Sequence, residues 1–179
     1  MKIIYLILIL LFCNSCNKKP ADSFAYTYMK GSSILAEVGD IQHMAFAWTY
    51  LKGISIIEEY GYDVCTDWGA EFDLETMGVF CDIADYLSAL TGIKYHYTDV
   101  DILVYESDTA VQQDVQYLKK WYKKHGRIMT KKDSDSIVQQ YYEKYKYGPP
   151  NIDSAITSWN KIRKERPYNT KKWIYYAFQ

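Results

Sequence analysis

The sequence predicts an all-α, or mainly α, domain: a bundle or short helical-repeat-like stack of five or six helices, with one small β-hairpin possible near residues 94–105. Three observations carry this. Apolar side chains return at steps of three and four along five stretches, the spacing of helices with one buried face. Gly, Pro, Ser and Asp punctuate those stretches where helices start and stop. The chain is 49% apolar, and about 160 residues follow its N-terminal leader, enough for one proper core.

Residues 21–38 mix polar and apolar side chains and read as helical in part. Asp40 suits an N-cap. After it, Ile41, Met44, Ala45, Trp48 and Leu51 fall near one helical face, which Ile54, Ser55 and Glu58 extend, and Gly61 suits a C-cap. Residues 63–71, with Cys65, Trp68 and Gly69, read as a loop. A second helix over about 73–91 places Leu74, Met77, Phe80, Cys81, Ala84, Leu87 and Leu90 on its apolar side and closes at Gly92. Tyr95-His96-Tyr97 and Ile102-Leu103-Val104-Tyr105 are rich in β-formers and fit a short hairpin or an extended loop. Ser107 or Asp108 caps a third helix through Val111, Val115, Leu118, Trp121 and Tyr122, ending at Gly126. Asp133 or Ser134 opens a fourth through Ile137, Val138, Tyr141, Tyr142 and Tyr145, stopped by Gly148-Pro149-Pro150. Asp153 caps a fifth with Ile156, Trp159 and Ile162, ending before Pro167. The apolar tail over residues 171–178 is expected to dock on the body.

The chain opens with Met1-Lys2 and an unbroken apolar run from Ile3 to Phe12. That is too short for a bilayer span, which needs about 20 residues, and fits the core of a secretory signal, about 7–15 residues. The run leads into Cys13-Asn14-Ser15-Cys16, with small Ser15 directly before Cys16. This resembles the lipobox of bacterial lipoproteins, with Cys13 where Leu is usual, and is similar to the looser lipoboxes of Bacteroidetes. The resemblance implies a signal peptide over 1–15, acylation of Cys16, a short tether over 16–24 and a single domain over 25–179. The protein would then sit in the cell envelope, held to a membrane through lipid on Cys16 and facing the periplasm or the surface. Ordinary secretion with cleavage near Ser15 is the alternative.

The net charge of −1 conceals an asymmetry. Residues 22–117 hold 17 acidic and 3 basic side chains; residues 118–179 hold 5 acidic and 15 basic ones. Such halves either attract each other within the fold or present a patch of each sign to partners. The acidic stretch makes Glu58, Glu59, Asp63, Asp67 and Glu71 the candidate contact surface for a protein partner. It lacks the spacing of a calcium loop. The basic third interleaves Lys119, Lys120, Lys123 and Lys124 with Trp121 and Tyr122. Export argues against nucleic acid there and leaves an anionic membrane, an acidic glycan or an acidic protein, with an amphipathic helix of solvated lysines over a tyrosine-lined core as the preferred reading.

The stretch Leu87-Ser88-Ala89-Leu90-Thr91-Gly92, followed later by a helix carrying Trp121-Tyr122, is similar to the closing segment of some bacterial helical-repeat proteins of the HEAT type. There a helix ends in Leu-Thr-Gly and a further helix follows with paired aromatics near its end. The resemblance implies a helix-on-helix scaffold and a binding role, and it carries no catalytic residues.

Catalytic and metal chemistry find little support. Cys65 and Cys81 are the only cysteines after Cys16. In an oxidising compartment they suit a disulfide, worth about 3 kcal/mol for a loop of roughly sixteen residues. As nucleophiles they would need His43, His96 or His125, and no local signature surrounds either one. The three histidines have no zinc-type spacing, and Gly31, Gly39, Gly53, Gly61 and Gly69 are too scattered for a phosphate loop, so no cofactor or metal is expected. Asp82 and Asp85 share a helical face as a glycosidase pair might, with surface charge the default. The resulting expectation is a non-enzymatic protein-binding module, of immunity or antagonist type in one form. The alternatives are a glycan-handling protein, with Trp68 and Trp121 stacking on sugars, and third an envelope hydrolase.

Overall fold

The computed structural model describes residues 41–66, 74–99 and 103–165. The leader, Cys16, the helix expected over 21–38, the Asp40 cap and the apolar tail lie outside the described residues. Within them the chain forms five α-helices, one short 3-10 turn and one two-stranded antiparallel sheet, the mainly α architecture expected.

Helix α1 (Ile41–Thr66) is the axis of the fold. Helix α2 (Leu74–Thr91) runs antiparallel to it: Gly53 meets Ile83 and Leu87, while Tyr60 stacks on Phe80. Gly92 at φ +71° stops α2 as expected, a conformation that suits a residue without Cβ. Strands β1 (Tyr97–Asp99) and β2 (Leu103–Tyr105) pair with Tyr97 opposite Tyr105 and Thr98 opposite Val104. Ser107 then caps α3 (Asp108–His125), its hydroxyl accepting from the Ala110 N–H. Helix α3 is also antiparallel to α1, with Val111 beside Gly61 and Tyr122 beside Phe46. The 3-10 turn Gly126–Ile128 leads to α4 (Lys131–Tyr142), and α5 (Ile152–Glu165) follows. Thr49 bonds Asp153 and Asp63 pairs with Arg163, so α5 runs parallel to α1.

Five expectations about local structure change. Helix α1 does not stop at Gly61 but continues to Thr66. Gly61 is a point of close approach, where an added Cβ would lie 2.7 and 2.8 Å from the Val111 methyls. Of the stripe expected on α1, Leu51 and Ile54 are buried but Ile41, Met44 and Trp48 are not. Phe46, Ala47, Tyr50, Leu51, Ile54, Ile57 and Tyr60 are buried, whereas Ile41 is 77% and Trp48 40% exposed. A central helix is met on several sides, so its buried set is broader than one stripe and need not follow the strongest local pattern. Leu74, expected on the apolar side of α2, is exposed. Finally, α4 opens at Thr130 rather than at Asp133 or Ser134: Thr130 and Asp133 form a reciprocal capping box. Likewise Asn151, not Asp153, accepts from the first turn of α5 through its bond from Ser154 N–H.

Tyrosine supplies much of the core, and its hydroxyls tie the elements together. Tyr50 donates to the Leu118 carbonyl, Tyr60 to Leu103, Tyr95 to Ala84 and Tyr117 to Thr91. Each ring buries apolar area while its polar tip finds an acceptor on another element. Burial pushes the Tyr50 and Tyr95 hydroxyls well above the ordinary range, so both remain neutral donors.

Candidate functional site

The expected contact surface on α1 is engaged within the fold. Arg163 of α5 pairs with Glu59 at 2.6 Å and with Asp63, while its guanidinium stacks over Trp159 at 4.7 Å. The indole N–H of Trp159 also donates to Glu59, and Lys119 pairs with Glu58 at 3.7 Å. The opposite charges of the two halves therefore meet here as internal docking. Asp67, Glu71 and Trp68 lie outside the described residues. Trp121 is half-buried, stacked on Tyr50 at 5.2 Å with His125 beside it, which leaves little of its ring for a sugar.

Cys65 and Cys81 are two separate, half-buried thiols rather than the disulfide the spacing also allowed. Cys65 donates its S–H to the Tyr105 carbonyl of β2, and Cys81 of α2 lies close enough to Tyr60 of α1 to influence it electrostatically. Burial, with Asp108 nearby, pushes the Cys65 thiol up to about 11. A nucleophilic cysteine needs the opposite shift. The histidines serve the scaffold: His43 Nε2 lies 3.2 Å from the Ile128 carbonyl, and His96 Nδ1 lies 2.6 Å from Asp114.

Asp114 escaped sequence reading. It is 1% exposed and accepts from the His96 backbone N–H and the Tyr105 hydroxyl besides its contact with the imidazole. A buried carboxylate needs such saturation. The arrangement clamps the hairpin to α3. Only its position at the apolar a/d-like side of α3, beside Val111, Val115 and Leu118, signalled that this Asp points inward.

The surface with most to offer a ligand is α4. Only Ser134 and Val138 of this helix are buried, so it lies at the edge of the bundle with clefts along both sides. One, of about 420 Å³, runs between Gln42 and Lys132, Ser136 and Gln139. The other, of about 280 Å³, lies between Val138, Gln139 and the Pro149-Pro150-Asn151 turn. Lys131 and Asp135 divide them. The Lys131 ammonium reaches Asp135 at 2.6 Å and Asp153 at 3.2 Å, and the Tyr86 hydroxyl donates to Asp135 at 2.7 Å. Thr49 closes the network by donating to Asp153. Four helices thus hold the floor of both clefts rigid.

Beyond the clefts α4 ends in tyrosines. Tyr141, Tyr145 and Tyr147 are exposed, the last by 83%. Tyr141 packs edge-on against Tyr142, and Lys144 lies over the rings of Tyr141 and Tyr145 at 4.5 and 5.1 Å. Asp82 and Asp85 of α2 border this cluster. Loss of surrounding water raises both carboxyls above their ordinary value, with Asp82 adding to the effect on Asp85, and burial, helped by the nearby carboxylates, pushes Tyr142 up to about 12. Among the described residues no group of three His, Cys, Asp or Glu could hold a metal ion, and no described helix is long and apolar enough to cross a membrane. No family model matches the chain, no curated protein matches it, and no solved structure matches its fold.

Proposed function

We propose that the protein is an exported, lipid-anchored module of the bacterial cell envelope that works by protein contact, and that α4 with its terminal tyrosines is the contact surface. The leader and Cys16 support the location. The exposed run Tyr141, Tyr145 and Tyr147 beside two clefts carries the reading, because tyrosine offers large contact area at low entropic cost and typifies interfaces. This moves the surface away from Glu58, Glu59 and Asp63, whose charges are committed to Lys119 and Arg163. Glycan stacking is the competing reading. Lys144 lies across the ring faces that a sugar would need, which favours protein.

Cross-linked capture from native envelopes tests it. The full chain should enrich a partner, Tyr141→Ala/Tyr145→Ala/Tyr147→Ala should lower recovery about tenfold or more, and Glu58→Ala should leave it intact. Equal recovery by the triple variant, or release of the captured material by polysaccharide, overturns the reading.

A further inference from the structure

The end of the domain where α1 begins combines charge and exposed apolar side chains in a way the protein-contact reading does not use. From Val115 to Lys132 the chain carries seven Lys or Arg and no Asp or Glu. Lys119 and Lys131 are tied into ion pairs, whereas Lys120, Lys123, Lys124, Arg127 and Lys132 are exposed. They occupy the last turns of α3, the 3-10 turn and the first turn of α4. The contact of His43 with the Ile128 carbonyl brings that turn against the start of α1, and Gln42 shares a cleft with Lys132. Ile128 at the tip of the turn is 82% exposed, and Ile41 is 77% exposed. Met44 and Trp48 continue from Ile41 at steps of three and four, both partly open to solvent. The nearby Asp133, held ionised by the Thr130 hydroxyl and N–H, offsets one of these charges and leaves the patch strongly basic.

We infer that this end rests on an anionic lipid surface, the lysines and Arg127 on the headgroup phosphates and Ile128, Ile41 and Trp48 in the interface. Basic side chains attract anionic lipid additively, and isoleucine and tryptophan gain by entering the boundary region. The inference rests on the anchored reading in one respect: the chain from Cys16 enters the described domain at Ile41. An anchor at Cys16 therefore joins the domain at this end, and the charge of an anionic surface is what would orient it. Helix α4 then projects its terminal tyrosines away from the basic turn.

Hydrogen exchange on the full chain isolated from membranes, in vesicles of phosphatidylcholine alone or mixed with phosphatidylglycerol, tests this. Exchange over residues 41–48 and 123–132 should slow about tenfold only with phosphatidylglycerol. Lys123→Glu/Lys124→Glu/Arg127→Glu, checked by circular dichroism for an intact fold, should abolish the difference, and Ile128→Ser should reduce it. The same measurement on Cys16→Ser separates the two ideas: a footprint there supports the surface even if Cys16 carries no lipid. Equal exchange in both vesicle types overturns the inference. So does protection already present in lipid-free detergent, which would make residues before Ile41 the cover.

Discussion

Replacing Gly61 by alanine should destabilise the protein, although alanine is the better helix former. In the middle of α1 the exchange favours the helix by about 1 kcal/mol. Against that, the new methyl would meet both Val111 methyls at 2.7 and 2.8 Å and the Tyr105 ring at 3.2 Å. Val111 is fully buried, and its branched side chain has little rotamer freedom in a helix. Turning it exchanges one methyl for the other, so α3 or the hairpin must move. Overpacking of this kind costs about 1–3 kcal/mol. The clash therefore outweighs the helix gain by about 1 kcal/mol, within a span of about 0–2, and the melting midpoint falls by about 3 °C. Urea and thermal unfolding of the full chain, followed by far-ultraviolet circular dichroism, measure both. Gly78 of α2 provides the contrast: its Cβ would meet nothing within 4 Å, so Gly78→Ala should stabilise by about 0.5–1 kcal/mol. Adding Val111→Ala to Gly61→Ala should recover about 1 kcal/mol relative to the sum of the single changes, because the deleted methyls vacate the contested space. If Gly61→Ala stabilises as Gly78→Ala does, helix propensity rather than the α1–α3 approach governs that position and the reasoning fails.

Three further outcomes follow from the same contacts. Arg163→Ala leaves Glu59 and Asp63 without their cation and removes the guanidinium from Trp159; a loss of about 2 kcal/mol in urea is expected, less than for fully buried pairs because Glu59 reaches solvent. Arg163→Lys should restore only part of it, since the ammonium cannot span both carboxylates and stack. Asp85 has its folded pKa raised above the ordinary 3.8, so the folded state binds the proton more tightly than the unfolded one. Its ionisation therefore opposes folding above the raised value, and that cost vanishes below the unfolded value. Asp85→Asn should stabilise at pH 7 and make no difference below pH 3.8; a constant difference across pH contradicts the assignment. Lastly, non-reducing peptide mapping should return Cys65 and Cys81 in separate alkylated peptides, with Cys65 in the folded protein reacting about a hundredfold more slowly at neutral pH than an ordinary thiol. A linked Cys65–Cys81 peptide overturns this.

The helices, the Gly92 stop, a cap at Ser107 or Asp108 and a short hairpin or extended loop after Gly92 were legible in the linear chain, because each is settled by residues within a few positions of one another. A left-handed glycine ends a helix, and a serine hydroxyl reaches the N–H three residues on, whatever surrounds them. The start of α4 was misread even locally, since Thr130 and Asp133 both suit a cap and their reciprocal bonding decides between them. What depended on distant partners was not legible. The Ile41, Met44 and Trp48 pattern is a true apolar stripe, yet only its Leu51 and Ile54 end is buried, and Phe46, Ala47 and Tyr50 joined it once α2, α3 and α5 had closed around α1. The acidic run announced a surface, and Arg163, a hundred residues away, turned part of it inward. The charge imbalance itself was plain from composition. Whether it faced a partner or bound the two halves together depended on which helices came to lie side by side, because Coulomb attraction and desolvation act on distances that chain order does not specify.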